Sequence, residues 1–428
     1  MIIDRKLAPP INEIKSFNIV KPIQTEMPNG MKLYVINSGE GDLIKIEWMF
    51  AAGNWYQPSP LVAFTVNNTM VDGTRRYTSK QIAENIDFYG AVVGYNVDKD
   101  NAYVSAVTLR KHLPYVMDIM ENILKTAIFP DSEVGIFLQK HKQLFQIEQG
   151  KVSQVARHIH ARTMFGNKHP YGYQITESDF TTVDTSVLRS FYAQHYCPEN
   201  CRMIVSGKVD DSDIRLLEQH FGLDSWGNYL AGSRTEPEIV SETLGKVFVA
   251  RNDAVQNAIR IGKIVGNKLN PDYHGLNILN CLLGGYFGSR LMKKIREEKG
   301  YTYGISSMLV TLVRSGYFTI VTEVGSAVTQ PALDDIYAEM DKLRNEKIPQ
   351  EELTRVKNYM LGEMVRMFDG PFAQAESLIS LLEYDLDYSY YDNSIREIQC
   401  VTSDRLLELA QKYFDSKTMN EIVVGLPF

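Results

Sequence analysis

Residues 59–74 read Ser-Pro-Leu-Val-Ala-Phe-Thr-Val-Asn-Asn-Thr-Met-Val-Asp-Gly-Thr, a segment with clear signals for a helix at both ends. Ser59 followed by Pro60 predicts an N-cap with proline at the first helical position, where the backbone N–H has no partner to lose. Asp72 followed by Gly73 predicts the end of the helix. The segment is therefore predicted to form one short helix of the first half of the chain.

Three side chains of this helix have the spacing of ligands in a helical zinc site. Phe64, Asn67 and Asn68 lie at i, i+3 and i+4, so they share one face of the helix. Two histidines at i and i+4 can reach one tetrahedral zinc ion, with a glutamate beside them as base. A phenyl ring has no lone pair to offer, and a neutral carboxamide is a poor zinc ligand. The helix has the geometry of a zinc helix without its chemistry.

The bulk composition excludes several classes of protein. A length of 428 residues predicts two or more domains. A formal net charge of −7 and the lack of a basic tract argue against a dedicated nucleic-acid binder. The sequence has no apolar run of about 18 residues, so no membrane span is predicted. The N-terminus lacks the apolar region of a signal peptide, which favours a cytoplasmic protein, and a periplasmic location stays open if a signal has been trimmed.

Four cysteines do not form a disulfide framework in a chain of this length. Cys197 and Cys201 make a C-x3-C pair, but the sequence around them has no second pair or Cys-His cluster to complete a metal site. Ordinary thiols near a loop are the favoured interpretation.

An internal repeat organises the chain. Strand and helix patterns of the first half recur in the same order about 215 residues later, a period typical of duplicated domains. Lys246-Val-Phe-Val-Ala corresponds to Lys32-Leu-Tyr-Val-Ile, and Tyr317-Phe-Thr-Ile-Val to Tyr103-Val-Ser-Ala-Val. The prediction is an α+β protein with an extended N-terminal arm at 1–19, domains at 20–222 and 244–428, and a linker at 223–243.

Two motifs of the second half carry a family resemblance. They are Gly284-Gly-Tyr-Phe-Gly-Ser-Arg-Leu and Ile295-Arg-Glu-Glu-Lys-Gly-Tyr-Thr-Tyr-Gly. With the Asp-Gly-Thr that ends the first-half helix, they resemble the insulinase/pitrilysin metallopeptidases, the inverzincins with an H-x-x-E-H motif. The resemblance covers the chain from about residue 20 to its end and implies two homologous αβ-roll domains in tandem, each an antiparallel sheet covered by helices.

The same resemblance implies that the zinc site is degenerate. It maps the first histidine of the motif onto Phe64, the glutamate base onto Asn67 and the second histidine onto Asn68. The third ligand maps onto Leu144, counting forward from Asn68 or backward from His169. The chain is thus expected to have no catalytic residue and no metal of its own. From the residues alone, a helix that was never a site would carry the same apolar side chains.

The second-half motif is intact, and the resemblance implies a substrate-binding role for Arg296 and Tyr303. Such a pair would donate hydrogen bonds to substrate carbonyls and to a developing oxyanion. Arg296 is expected near the end of a helix that Gly300 terminates, with Tyr303 on the next strand. The alternative is an exposed arginine in a charge-rich helix end and a tyrosine in the core.

Gly284 and Gly285 fall where non-catalytic subunits of the family carry a glycine-rich loop that contacts substrate. The loop here is much shorter, so the glycines can equally serve a turn next to a helix.

His158 and His160 are the candidates for substitute ligands. The flanking sequence predicts a helix, in which residues two apart point about 200° away from each other. No shared metal is therefore expected.

The preferred hypothesis is a proteolytically inactive subunit of a heterodimeric zinc peptidase. A catalytic insulinase-type partner would carry the zinc, peptides would be the substrates, and this chain would form half of the chamber. The alternative is a homodimeric peptide-binding or scaffold protein similar to the respiratory core subunits, without a protease partner. An active peptidase with unorthodox ligands is disfavoured by the ligand chemistry.

Overall fold

Two α+β domains follow one another along the chain, each built on one β-sheet. The computed structural model describes residues 19–229, 237, 239 and 245–428. The predicted N-terminal arm, apart from residue 19, and most of the predicted linker lie outside the described residues.

The first domain contains six strands and seven α-helices in the described part of the chain. In chain order they are β1 (Ile23–Glu26), β2 (Lys32–Asn37), β3 (Leu43–Phe50), α1 (Val62–Thr69), α2 (Ser79–Phe88), β4 (Val92–Val97), β5 (Ala102–Leu109), α3 (Leu113–Thr126), α4 (Asp131–Gln149), α5 (Val152–Phe165), α6 (Thr185–His195), β6 (Cys201–Gly207) and α7 (Asp211–Phe221).

The second domain repeats the strand pattern from β2 onward and has six described α-helices before its last strand. Its described elements are β7 (Lys246–Ala250), β8 (Asn257–Ile264), α8 (Tyr273–Asn280), β9 (Ile305–Leu312), β10 (Ser315–Val324), α9 (Thr329–Asn345), α10 (Gln350–Met367), α11 (Pro371–Leu382), α12 (Ser389–Cys400), α13 (Ser403–Tyr413) and β11 (Asn420–Gly425). Two π-helical segments, Cys281–Gly285 and Met292–Glu298, lie between α8 and β9.

The strand orders confirm the internal repeat. The first sheet has the order β1-β2-β6-β3-β5-β4 and the second β7-β11-β8-β10-β9, so the second matches the first without its edge strand β1. The expected antiparallel sheet needs one correction, because β2 pairs with β6, and β7 with β11, in parallel. The last strand of each domain thus lies beside β2 in the first domain and beside β7 in the second, and runs in the same direction as that strand.

The two faces of the first sheet pack against different helices, as the alternation of side chains along a strand requires. Trp48 on β3 points into the core that contains Val66 of α1 and Met120 of α3. Its neighbour Met49 points to the opposite face, where Leu378 of α11 packs. The helix α1, which carries Phe64, Asn67 and Asn68, therefore lies on the face of this sheet opposite to α11, and it also contacts α4 and α6.

Each domain contributes one helix to the outer face of the other domain's sheet. α5 of the first domain packs on β8 and β11, and α11 of the second packs on β2 and β6. Apolar side chains fill both contacts: Ala156 with Ala258, Ile422 and Val424, and Leu378 with Tyr34, Ile36 and Ile204.

Polar bonds cross between the domains beside these helices. The Tyr103 hydroxyl donates to Glu383 Oε1 at 2.6 Å, and Lys45 Nζ lies 2.5 Å from Glu376 Oε1. The backbone N–H of Val313 donates to the buried Asp100 carboxylate at 3.0 Å. The arrangement of the two domains is thus held by packing and by polar contacts, of which the one to Asp100 is buried. No helix in the described ranges has the length and apolar character to span a bilayer.

Candidate functional site

The helix α1 begins later than its sequence predicts. Leu61 has a left-handed backbone with φ of 68°, so it interrupts the helical conformation after Pro60. The prediction of Ser59 as N-cap with Pro60 as first helical residue is therefore wrong. The side chain of Gln57 caps the helix instead, with Oε1 accepting from the backbone N–H of Ala63 at 3.3 Å.

The end of α1 agrees with the prediction. The α-helix ends at Thr69 and continues as one 3-10 turn, Met70–Asp72, before Gly73. A Cβ at Gly73 would lie 2.9 Å from Pro130 Cγ, so the chain can pass this close to the start of α4 because the residue is glycine.

Asn67 occupies the position that the family resemblance assigns to the catalytic base, and its side chain is fully buried. Its Nδ2 donates to the backbone carbonyls of Asn96 at 3.0 Å and Tyr103 at 3.3 Å. Its Oδ1 accepts from the Tyr196 hydroxyl at 3.0 Å. Both ends of the carboxamide are thus committed to hydrogen bonds that hold α1, the β4–β5 hairpin and α6 together. Nothing in this arrangement can take a proton from water.

Phe64, at the position of the first histidine, belongs to an aromatic cluster. Its ring centroid lies 5.4 Å from that of Phe137 and 5.0 Å from that of His141, with the His141 ring nearly perpendicular. Asn68, at the second histidine position, donates from Nδ2 to the carbonyl of Phe64 at 2.8 Å. The first side chain makes apolar contacts, and the second bonds to its own helix.

Leu144 on α4 lies beside the same cavity as Phe64. The cavity has a volume of about 440 Å³, and both residues line it. The structure thus brings the proposed third ligand position and the first one to a common space. Leu144 is 45% exposed, so an apolar side chain here faces the cavity opening rather than a closed core.

These residues do not fit the zinc ion that the family implies. Phe64 and Leu144 have no donor atom, and the donor atoms of Asn67 are used by the hydrogen bonds above. His141 is near Phe64, and its burial followed by the charge of Lys140 lowers the pKa of its imidazole. One neutral histidine does not make a site, and the described residues contain no group of three His, Cys, Asp or Glu able to hold a metal.

His158 and His160 lie on α5 and point in different directions, as predicted. His158 lines the cavity, whereas His160 is buried with its ring centroid 6.0 Å from that of Tyr317 on the second sheet. Burial, followed by the charge of Arg260, lowers the pKa of His160 to about 3. His160 is therefore a neutral packing residue of the contact between the domains.

The C-x3-C pair consists of two buried free thiols. Burial raises the pKa of the Cys197 thiol to about 12, so the nucleophilic thiolate is suppressed. The interpretation as ordinary thiols agrees with this environment.

Gly284 and Gly285 belong to the π-helical segment after α8. A Cβ at Gly284 would lie 2.6 Å from the backbone nitrogen of Ser307 on β9, so this glycine permits close packing of the segment on the strand. Gly285 is exposed. This close contact explains the glycine at position 284 without a role in substrate binding.

Arg296 and Tyr303 are accessible from solvent. Arg296 is half-buried, with its Cζ 5.1 Å from the centroid of the exposed Phe287 ring. Tyr303 is 92% exposed, which removes the alternative of a core tyrosine. Gly300, at φ of 65°, follows the helix end as predicted.

Tyr303 does not lie on a strand, and that expectation is wrong. The strand β9 begins at Ile305, because the chain turns at Thr302, whose Oγ1 accepts from the Gly304 N–H at 3.1 Å and donates to the Glu323 carbonyl at 2.8 Å.

A set of basic residues in the cavity lining was not found from the sequence. Lys99 lies in the β4–β5 turn, Arg157 and His158 on α5, and Lys168 in the loop after α5. Lys99 lies 58 residues before Arg157, and Lys168 lies 11 residues after it, so no local motif marks the set. The folded chain brings them to the cavity that Phe64 and Leu144 line.

The chain is similar along most of its length to bacterial proteins named as uncharacterized zinc proteases. YmxG of Bacillus subtilis is 23% identical over 401 residues, which cover 90% of this chain and 94% of that protein. A protein of Rickettsia felis is 22% identical over 418 residues, which cover 96% of this chain and 98% of that protein.

Solved structures share the fold. The structure described as the peptidase M16 inactive domain from Pseudomonas fluorescens has a TM-score of 0.85 at 20% identity, over 95% of this chain and 98% of that one. A protease from Helicobacter pylori has a TM-score of 0.79 at 15% identity, over 95% of this chain and 100% of that one. Both cover the two domains.

Family models match both halves of the chain. Residues 50–176 match insulinase (peptidase family M16), and residues 182–360 match the peptidase M16 inactive domain. Together with the duplicated sheets and the structural neighbours, these matches agree with the expected fold. The chain belongs to the insulinase (peptidase M16) family and has a two-domain α+β architecture, in which residues 182–360 match the domain described as inactive.

Proposed function

We propose that this chain is the proteolytically inactive subunit of a two-chain zinc peptidase. The observation that carries the proposal is the state of Asn67, a buried carboxamide whose three hydrogen bonds tie it to two backbone carbonyls and to Tyr196. A family member whose base position serves the core needs another chain for hydrolysis. The catalytic partner would supply an intact H-x-x-E-H and the zinc ion.

The chemistry of the four mapped positions supports this division of labour. A zinc peptidase lowers the pKa of a metal-bound water and removes its proton with a base. An aromatic ring at Phe64 and an alkyl chain at Leu144 cannot bind the metal, and the amides of Asn67 and Asn68 cannot act as base near neutral pH. This chain therefore shares the fold of the relatives named zinc proteases, while the proposed peptidase activity belongs to the complex of this chain with its catalytic partner.

This chain would contribute one wall of a peptide-degrading chamber. The exposed phenol of Tyr303 and the half-buried guanidinium of Arg296 over Phe287 are hydrogen-bond donors. Donors of this kind suit substrate carbonyl oxygens and the oxyanion of a tetrahedral intermediate. Peptides are the proposed substrates, held between the two chains.

Co-expression with a catalytic insulinase-type chain of the same genome tests the proposal. Peptide cleavage is measured for each chain alone and for the purified mixture, and complex formation is followed by size-exclusion chromatography with light scattering. We expect a heterodimer whose activity exceeds that of the catalytic chain alone by at least tenfold. A mixture no more active than the catalytic chain contradicts the proposal. A stable homodimer of this chain that does not bind the catalytic chain favours a scaffold protein instead.

A further inference from the structure

The cavity beside the degenerate zinc positions has a large apolar part. Phe64, Leu144, Phe145, Ile175 and Phe180 line it, and the rings of Phe145 and Phe180 are 5.4 Å apart. Its volume of about 440 Å³ lies within the range of roughly 300–1,000 Å³ that is usual for small-ligand sites. The space is large enough for one aromatic or acyl group.

The same cavity carries an excess of positive charge. Lys99, Arg157 and Lys168 line it beside His158, and its one acidic residue, Glu148, has Oε1 2.6 Å from Lys151 Nζ. Burial and then the charge of Arg157 lower the pKa of both Lys99 and His158, which shows that these basic groups lie within electrostatic reach of one another.

The two acids that flank Lys99 in sequence are engaged in other hydrogen bonds, and Asp98 accepts from the backbone N–H groups of Asp100 and Asn101 and from the Tyr103 hydroxyl. Asp100 accepts from the Tyr171 hydroxyl at 2.6 Å, the Val313 N–H at 3.0 Å and Arg314 Nη1 at 3.2 Å. It weakly favours the charged form of Lys99, but its oxygens face the second domain. The basic group of the cavity thus keeps a net positive field, which attracts an anion.

Two polar atoms of the lining are buried without a hydrogen-bond partner among the described residues. They are Oε1 of Gln154, three residues before Arg157 on α5, and Nδ1 of His158, directly after it. Buried polar atoms in native proteins are nearly always hydrogen-bonded, so these two atoms leave hydrogen-bonding capacity unused in the residues of the cavity wall. This observation is independent of the charge argument and concerns the same helix.

We propose that this cavity binds an amphipathic carboxylate, with an apolar or aromatic body among Phe64, Leu144 and Phe145 and the carboxylate against Arg157 and Lys168. Arginine and lysine donate charge-assisted hydrogen bonds to carboxylates, and apolar burial retains the body. The ligand site replaces the metal site in the same part of the fold. Such a ligand can come from the C-terminal residue of a peptide or from a free acid, and the chemistry recognised is the same.

Isothermal titration calorimetry on the isolated full chain tests this site without any partner, so its outcome is separate from that of the proposed function. The probes are an N-acetylated tetrapeptide ending in Phe, the same peptide as its C-terminal amide, decanoate, and inorganic phosphate. We expect the free-acid peptide or decanoate to bind, and the amide to bind at least tenfold more weakly. Binding of the peptide without decanoate assigns the site to peptide C-termini, and binding of decanoate without the peptide assigns it to free acids.

Variants localise the binding. Arg157→Gln combined with Lys168→Gln should weaken the bound carboxylate about tenfold or more, because charge-assisted hydrogen bonds are lost. Lys80→Gln, at an exposed lysine on α2 outside the cavity, is the matched control and should leave affinity unchanged. Equal affinity for acid and amide, phosphate binding as tight as either acid, no binding of any probe, or an unaffected double variant overturns the proposal. Arg157 and Lys168 are exposed, so the variants should keep the wild-type unfolding temperature.

Discussion

The Tyr196 hydroxyl donates a hydrogen bond of 3.0 Å to Oδ1 of Asn67 in the interior of the first domain. The opposite end of the same carboxamide faces two backbone carbonyl oxygens. A carboxamide satisfies this environment because it both donates and accepts, whereas a carboxylate only accepts. The residue at the position that the family resemblance assigns to the catalytic base is part of the core.

Asn67→Asp should therefore destabilise the fold although it changes one atom. The new carboxylate oxygen would face the carbonyls of Asn96 and Tyr103, so two hydrogen bonds are lost and a buried charge is left opposite acceptors. The free energy of unfolding should fall by about 2–5 kcal/mol, measured by urea denaturation at pH 7. Asn68→Asp, at the half-buried neighbour, is the control and should cost about 1 kcal/mol. Equal losses for the two variants would contradict the role given to Asn67.

Arg296→Ala should lower the activity of the mixed pair without weakening its assembly. The guanidinium is half-buried over Phe287 and is proposed to bind a substrate carbonyl or the oxyanion, a contact typically worth about tenfold or more in turnover. Peptide cleavage and light scattering on the pair provide the two readouts. Lys294→Ala, which removes an exposed cation paired with Glu298 on the same helical segment, is the control. Unchanged turnover in the Arg296 variant would remove its proposed role.

Asp72 should make stability depend on pH. Burial, followed by the charge of Glu133, raises the pKa of its carboxyl from 3.8 to about 6 in the folded chain. Between these values the folded state binds more protons than the unfolded state, so stability is lost as pH rises through this window. Asp72→Asn should raise the free energy of unfolding by roughly 1 kcal/mol at pH 7.5, allowing for solvent screening of a partly exposed group, and by little at pH 4. Urea denaturation at both pH values measures the free energy of unfolding. The same increase at both pH values would contradict the raised pKa of Asp72.

Gly262→Ala should disturb the contact between the domains. A Cβ there would lie 2.1 Å from the Phe318 carbonyl oxygen and 3.0 Å from Nε2 of His160 on α5. Backbone has to shift, so we expect a loss of about 2 kcal/mol or more. Gly135→Ala in the interior of α4, where a Cβ meets nothing within 4 Å, should instead stabilise by about 0.5–1 kcal/mol. The two variants are compared by thermal unfolding. A Gly262→Ala variant with unchanged stability would contradict the close packing of α5 on β8.

Much of the fold could be predicted because local patterns and topology agree. The capping box of Thr78 and Gln81 marks the start of α2, and the alternation in β3 marks its buried face, so both elements follow from short-range sequence. The late start of α1 could not be predicted, because it depends on the left-handed backbone of Leu61 and on a cap from Gln57.

The site was predictable to the extent that its positions share one helix face. The spacing of Phe64, Asn67 and Asn68 showed which chemistry is lacking, but not that Asn67 bonds to Tyr196, 129 residues away along the chain. The set of basic residues that includes Lys99 and Arg157 could not be predicted either. Its members come together only when α5 packs beside the β4–β5 turn.

The central claim, that this chain cannot hold a catalytic zinc ion, is tested most directly on the purified chain without a partner. The measurement is zinc content per chain by mass spectrometry after incubation with excess zinc and gel filtration, together with peptide hydrolysis with and without a chelator. The account predicts far less than one zinc per chain and no chelator-sensitive hydrolysis. One tightly held zinc per chain with hydrolysis that the chelator abolishes would contradict it.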